Sequence, residues 1–147
     1  MKKRLTIAIA VSRFNEKITQ SLLNCCVKEL NDNGVAKSLI NIVWVPGAYE
    51  LPFVVHKLAK SKKYSAVIGL GCVIKGDTAH DLHVAGWAAN GIGLASLFTD
   101  VPCLFGVLTP HNEAQAWKRA KPGPLNRGKE VAEAAMEMIG LKNKGTI

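Results

Sequence analysis

The chain has 147 residues, one ordinary domain's worth, and is expected to fold as a single domain over residues 1–147. Hydrophobic residues at 48% and charged residues at 20% exclude intrinsic disorder, collagen-like repeats and a disulfide scaffold. The unusual figure is the charge, 19 Lys+Arg against 11 Asp+Glu for a formal +8, which points to an anionic partner (nucleic acid, acidic membrane or a phosphorylated small molecule) without choosing among them.

The run Met1-Lys2-Lys3-Arg4 looks like the charged start of a signal peptide. The apolar stretch behind it, Leu5 to Val11, is too short for one and has no small-residue cleavage site. It reads instead as a buried strand rich in β-branched residues. After Arg13-Phe14-Asn15, the residues Ile18, Leu22, Cys25, Cys26 and Leu30 recur at helical spacing, and Asn33-Gly34 is a stop signal. Leu39 to Val45 is a second strand, ended by Pro46-Gly47. Leu51 to Lys60 reads as a helix with Pro52 in its first turn, where a missing N–H costs nothing. Ala66 to Ile74 is a third strand, running into Lys75-Gly76-Asp77-Thr78. An Ala- and Gly-rich helical pattern spans about His83 to Phe98. Cys103 to Leu108 is a fourth strand. Asn112 caps a helix through Arg119, Lys121 to Asn126 is a loop, and a last helix runs from about Gly128 to Ile139 with Gly140 as its stop.

The order βαβαβαβαα, with near-continuous apolar strands that require cover on both faces, gives an α/β class: a three-layer α/β/α sandwich on a four-stranded parallel sheet. No stretch approaches 18 apolar residues, so no membrane span is expected. Cys25, Cys26, Cys72 and Cys103 form no C-x-x-C pair. They read as reduced, semi-buried hydrophobes of a reducing cytosol, so the expected location is cytoplasmic.

In open parallel sheets, ligands bind beyond the carboxyl ends of the strands. The residues that do not look like packing gather there: Ser12 to Asn15, Val45 to Glu50, Gly71 to His80, and Phe105 with Thr109-Pro110-His111. Gly76-Asp77-Thr78 precedes a helix, where free amides suit an anion, although an ordinary turn reads the same way. His80 is the best acid/base candidate, since imidazole titrates near neutral pH. Phe14 either stacks on a flat ring or caps the core. Glu50 either meets a helix dipole or hydrogen-bonds a polyol or base. Arg119 and Arg127 are either solvated helix ends or a phosphate fork. No His/Asp/Glu spacing suggests a metal site, and the dispersed Trp44, Trp87 and Trp117 make no nucleic-acid platform.

These four motifs, collinear and at matching spacing over nearly the whole chain, resemble the 6,7-dimethyl-8-ribityllumazine synthase family of the riboflavin pathway. The resemblance is carried by Ser12-Arg13-Phe14-Asn15, Val45-Pro46-Gly47-Ala48-Tyr49-Glu50-Leu51-Pro52, Gly71 through His80, and Phe105-Gly106-Val107-Leu108-Thr109. It implies a flavodoxin-like sheet and a cofactor-free condensation of 5-amino-6-(D-ribitylamino)uracil with 3,4-dihydroxy-2-butanone 4-phosphate. By position, it implies that Phe14 stacks on the pyrimidine and that Ala48, Tyr49 and Glu50 line the ribityl pocket. It has Cys72, Val73 and Ile74 present backbone groups to the uracil. It puts Asp77, Thr78, Arg119 and Arg127 at the phosphate, and His80 in charge of moving protons. Phe105 would come from a neighbouring subunit of a homopentamer, with an icosahedral 60-mer left open and riboflavin synthase a candidate partner. Neither nucleic acid nor membrane is expected as a partner.

Three features depart from the family pattern. Arg127 stands where a lysine is usual. Asp81-Leu82-His83 replaces an aromatic followed by Asp-Tyr, and the loop Lys121-Pro122-Gly123-Pro124-Leu125 replaces Gly-Thr-Lys-x-Gly. Two competing readings stay open at this point: a non-catalytic member that binds a flavin-like ligand or forms a scaffold, and a nucleic-acid-binding domain resting on the charge alone.

Overall fold

A computed structural model describes residues 4–147; Met1-Lys2-Lys3 of the charged N-terminal run lie outside them. Within these residues the order is β1 (Ile7–Ser12), α1 (Glu16–Asp32), β2 (Ile40–Val45), α2 (Leu51–Lys60), β3 (Ala66–Cys72), α3 (His80–Thr99), β4 (Cys103–Leu108), α4 (Glu113–Ala120) and α5 (Arg127–Asn143). The strands form one parallel sheet in the order β2-β1-β3-β4. Helices cover both faces, so the class is the three-layer α/β/α sandwich with a flavodoxin-like sheet.

Strand alternation decides which face each side chain enters. Ile7, Ile9 and Val11 of β1, with Ile68 and Leu70 of β3, pack with Leu22, Cys26 and Leu30 of α1 and Val131 and Ala135 of α5. Ala8 and Ala10 of β1 and Val67 of β3 face the other way, onto Val55 and Ala59 of α2 and Ala88, Ile92 and Ala95 of α3. The small residues on this second side bring its two helices close to the sheet and to each other. A Cβ on Gly91 of α3 would stand 2.4 Å from Pro52 Cβ of α2, so a side chain there is excluded. Gly128 of α5 does the same against α1, where a Cβ would lie 2.1 Å from Leu22 O.

Four expectations need correction. β2 is an edge strand whose Asn41 and Ile42 are exposed, so cover on both faces does not extend to it. The third strand closes at Cys72 rather than Ile74. The following helix starts at His80 rather than His83, because its first turn is polar and carries no apolar period. Gly140 does not end α5, which continues to Asn143. Nothing crowds Gly140, and in the turn beyond it Lys142 Nζ pairs with Asp100 Oδ2 at 3.0 Å. Asp100 is itself the left-handed C-cap of α3, at φ 57°. Lys62 donates to the adjacent Thr99 carbonyl. Two lysines thus satisfy the carbonyl end of α3, where positive charge is favourable. This contact also holds the Asp100 carboxyl below its ordinary range.

Candidate active site

The carboxyl ends of the four strands are stitched together beyond the sheet. Arg13 and Phe14 N–H donate to Val45 O and Pro46 O at 2.8 and 3.1 Å, extending the β1–β2 pairing. Val73 N–H donates to Leu108 O at 2.8 Å and Lys75 N–H to Pro110 O at 3.0 Å, extending β3–β4. Asn15 joins the two halves. It sits at φ 61°, a left-handed conformation that asparagine tolerates, and its Nδ2 donates to Cys72 O at 2.9 Å. The turns that carry the polar motifs are therefore held as one rim.

A cleft of about 210 Å³ opens in this rim. Phe14 lines it from the β1 end, and Ala48 and Tyr49 line it from the turn before α2. Cys72, Val73 and Ile74 form its floor at the β3 end, and His80 and Asp81 close it from the first turn of α3. Phe14 is 72% exposed, so its ring is not capping the core, and its flat face is free for a ligand. Tyr49 is steadied by Trp87, with ring centroids 6.0 Å apart. Burial pushes the Cys72 thiol up to about 12, with the negative charge of Glu113 adding to the shift. Cys72 is thus a neutral wall rather than a nucleophile.

Glu50 stands differently from its neighbours. Its Oε2 accepts from Gly47 N–H at 3.0 Å, bracing the turn, and its side chain borders an apolar groove between α2 and α3 rather than the cleft. Asp77 and Thr78 are exposed on the turn before α3. Thr78 Oγ1 accepts from His80 N–H at 3.3 Å, while Gly76 N–H is taken by Asp81 Oδ1 at 3.4 Å.

The arginines and Phe105 do not enter the cleft of their own chain. Arg119 lies in a separate polar depression of about 390 Å³ with Thr109, Gln115 and Lys118. Gln115, Lys118 and Arg119 follow i, i+3, i+4 spacing and so share one face of α4. Of these three the sequence motifs single out only Arg119, although the spacing of Gln115 and Lys118 is equally visible in the sequence. Arg127 holds Phe105 from behind: one guanidinium nitrogen donates to Phe105 O at 3.3 Å and another pairs with Glu130 at 3.0 Å. One chain therefore carries an aromatic and imidazole cleft and, apart from it, Arg119 in the polar depression and Arg127 against Phe105. Among the described residues no group of three or more His, Cys, Asp or Glu side chains is placed to hold a metal. No described helix is long and apolar enough to cross a membrane.

The family model for 6,7-dimethyl-8-ribityllumazine synthase matches residues 4–143. Proteins of that name from Yersinia pestis (strain Pestoides F) and Yersinia pseudotuberculosis serotype O:1b (strain IP 31758) are each 47% identical over 136 residues. The matched stretch spans 92% of this chain and 87% of each relative.

Proposed function

The chain belongs to the 6,7-dimethyl-8-ribityllumazine synthase family, and from that premise we propose that it makes 6,7-dimethyl-8-ribityllumazine in riboflavin biosynthesis. The substrates are 5-amino-6-(D-ribitylamino)uracil and 3,4-dihydroxy-2-butanone 4-phosphate; phosphate and water leave. The observation that carries the reading is the convergence of Phe14, Ala48, Tyr49, Cys72, Val73, Ile74 and His80 on one cleft at the sheet's carboxyl rim. Its shape and chemistry suit a flat, polar heterocycle: an exposed ring to stack on and backbone groups at the β3 end to read the edge.

In this reading the amine of the pyrimidine attacks the ketone to form a Schiff base, phosphate is eliminated, and the ring closes with loss of a second water. His80, at the mouth of the cleft, moves protons between these steps. Asp77 and Thr78, on the turn before α3, present amides to the phosphate at the positive end of that helix, and Glu50 holds the turn that shapes the ribityl pocket. Arg119 and Arg127 supply cationic charge to the phosphate. Because neither they nor Phe105 line the cleft of their own chain, the complete site forms between two subunits. A homopentamer is proposed from the family resemblance, and a cytoplasmic location from the unpaired Cys25, Cys26, Cys72 and Cys103. α3 supports self-association: Leu94, Leu97 and Phe98 are exposed on it, the last two at 80% and 76%, and an apolar groove beside them runs between α2 and α3.

The test is to mix the protein with both substrates and follow lumazine formation optically. A rate well above the spontaneous condensation is expected. A rate equal to it, with a lumazine analogue still bound, would favour the non-catalytic alternative.

A further inference from the structure

The turn that leads into α3 already holds an anion of its own. Asp81 is half-buried although residues 75–80 ahead of it are exposed. It is the one carboxylate bordering the cleft that holds His80, and no cation pairs with it among the described residues. Its Oδ1 takes the Gly76 N–H at 3.4 Å, a long and easily released bond. The amides of Asp77, Thr78 and Ala79, next along the chain, have no acceptor among the described residues. A run of amides open to an anion therefore has a fixed negative charge seated at its edge.

We propose that Asp81 is a specificity-determining residue: its carboxylate stands in for an anion at the start of α3, and a phosphate arriving at this turn must displace it from Gly76. This rests on the reaction proposed above, in which one substrate brings a phosphate to that turn and free phosphate must leave it. The carboxylate weakens the hold on both by like-charge repulsion and by occupying a donor. It thereby keeps the released phosphate from lingering among Arg119, Arg127 and the helix start, where cations and a helix dipole would otherwise retain it. An aromatic residue at this position would leave the donor free and add no charge.

The proposal is tested on the native assembly with inorganic phosphate as the probe. Asp81→Asn keeps an oxygen for Gly76 N–H and removes the charge, and Asp81→Glu keeps the charge. Calorimetric titration is expected to show phosphate bound about fivefold tighter by Asp81→Asn than by the parent, the worth of one unit charge at contact distance in solvated surroundings. Asp81→Glu is expected to stay near the parent. In steady-state kinetics the KM for the butanone phosphate should fall by a similar factor in Asp81→Asn, while the KM for the aminouracil stays unchanged and kcat does not rise. A merely structural tether would move both KM values or neither. Phosphate affinity that is unchanged, weakened or undetectable in every protein overturns the proposal. If the parent forms no lumazine above the spontaneous rate, the assigned reaction falls, and the phosphate titration still decides on Asp81.

Discussion

His80 and Arg119 occupy different clefts of one chain, and the proposed reaction asks unequal things of them. Two reactive substrates condense slowly unaided, so much of the catalysis is positioning. Arg119 both orients the phosphate and stabilises the charge of the leaving group, whereas the histidine supplies only proton transfer, about 10²-fold at the low end of what general acid–base catalysis gives. His80→Ala is expected to leave measurable activity and Arg119→Ser to lose about 10³-fold or more in kcat/KM; equal losses would overturn that ranking. The thiols make a second argument at this scale. Burial pushes Cys26 and Cys72 from an ordinary value of 9.0 up to about 12. Above pH 9 the unfolded chain releases protons that the folded chain keeps. The stabilising contribution is therefore intact below pH 9 and is lost as the pH rises toward 12. Urea unfolding between pH 9 and 11 should show stability falling by up to about 1.4 kcal/mol per pH unit for each thiol. The double variant Cys26→Ala/Cys72→Ala should flatten that slope.

At the level of elements, close approach rather than propensity decides which glycines matter. Gly128 lets α5 lie against the backbone of α1, with Leu22 O only 2.1 Å from where a Cβ would be. Gly140, three turns along the same helix, faces open space. Gly128→Ala should therefore destabilise the protein by about 3 kcal/mol or more, because the obstacle is backbone and cannot rotate away. Gly140→Ala should stabilise it by about 0.5–1 kcal/mol through helix propensity alone. Chemical denaturation of the pair checks both signs. The same helix explains part of what the sequence could and could not reveal. A glycine after an apolar period reads as a stop, yet the helix runs on to Asn143, and Lys142 in that last turn pairs with Asp100, 42 residues away. α2 and β4 were legible to the residue because local signals, a Pro in the first turn and a Pro beyond the strand, bound them. The start of α3 was not, since His80 and Asp81 carry polar chemistry in place of an apolar period. The cleft was legible because parallel strands bring their carboxyl ends to one rim whatever the loops do. That Glu50 turns back onto Gly47, and that Arg127 grips Phe105, depended on loop conformation and left no periodic trace.

For the whole molecule, the +8 charge separates into a functional part and a surface. In the proposed reaction Arg119 and Arg127 serve one phosphate, and two of the lysines, Lys62 and Lys142, close the end of α3. Most of the surplus is exposed and directs nothing in the fold. The apolar face matters more. In the proposed homopentamer each site takes its cleft from one subunit and Arg119 from the next, a heterologous contact repeated around a closed ring. That arrangement makes a prediction no single-chain site can imitate. Phe14→Asp spoils the cleft at a position exposed enough to leave folding intact, and Arg119→Ser spoils the cationic face. Each variant alone should be nearly inactive. Unfolded together in equal amounts and reassembled, they place a sound cleft against a sound Arg119 in about one site in four. The mixture should then regain about a quarter of the parental activity, while separately refolded variants mixed afterwards should not until subunits exchange. Activity that stays at the level of the separate variants in a co-assembled ring, verified by sedimentation, would place the whole site within one chain. Phe98→Asp, on the exposed face of α3, supplies the companion result: smaller particles by sedimentation, an intact fold by circular dichroism, and loss of activity that follows the loss of the ring.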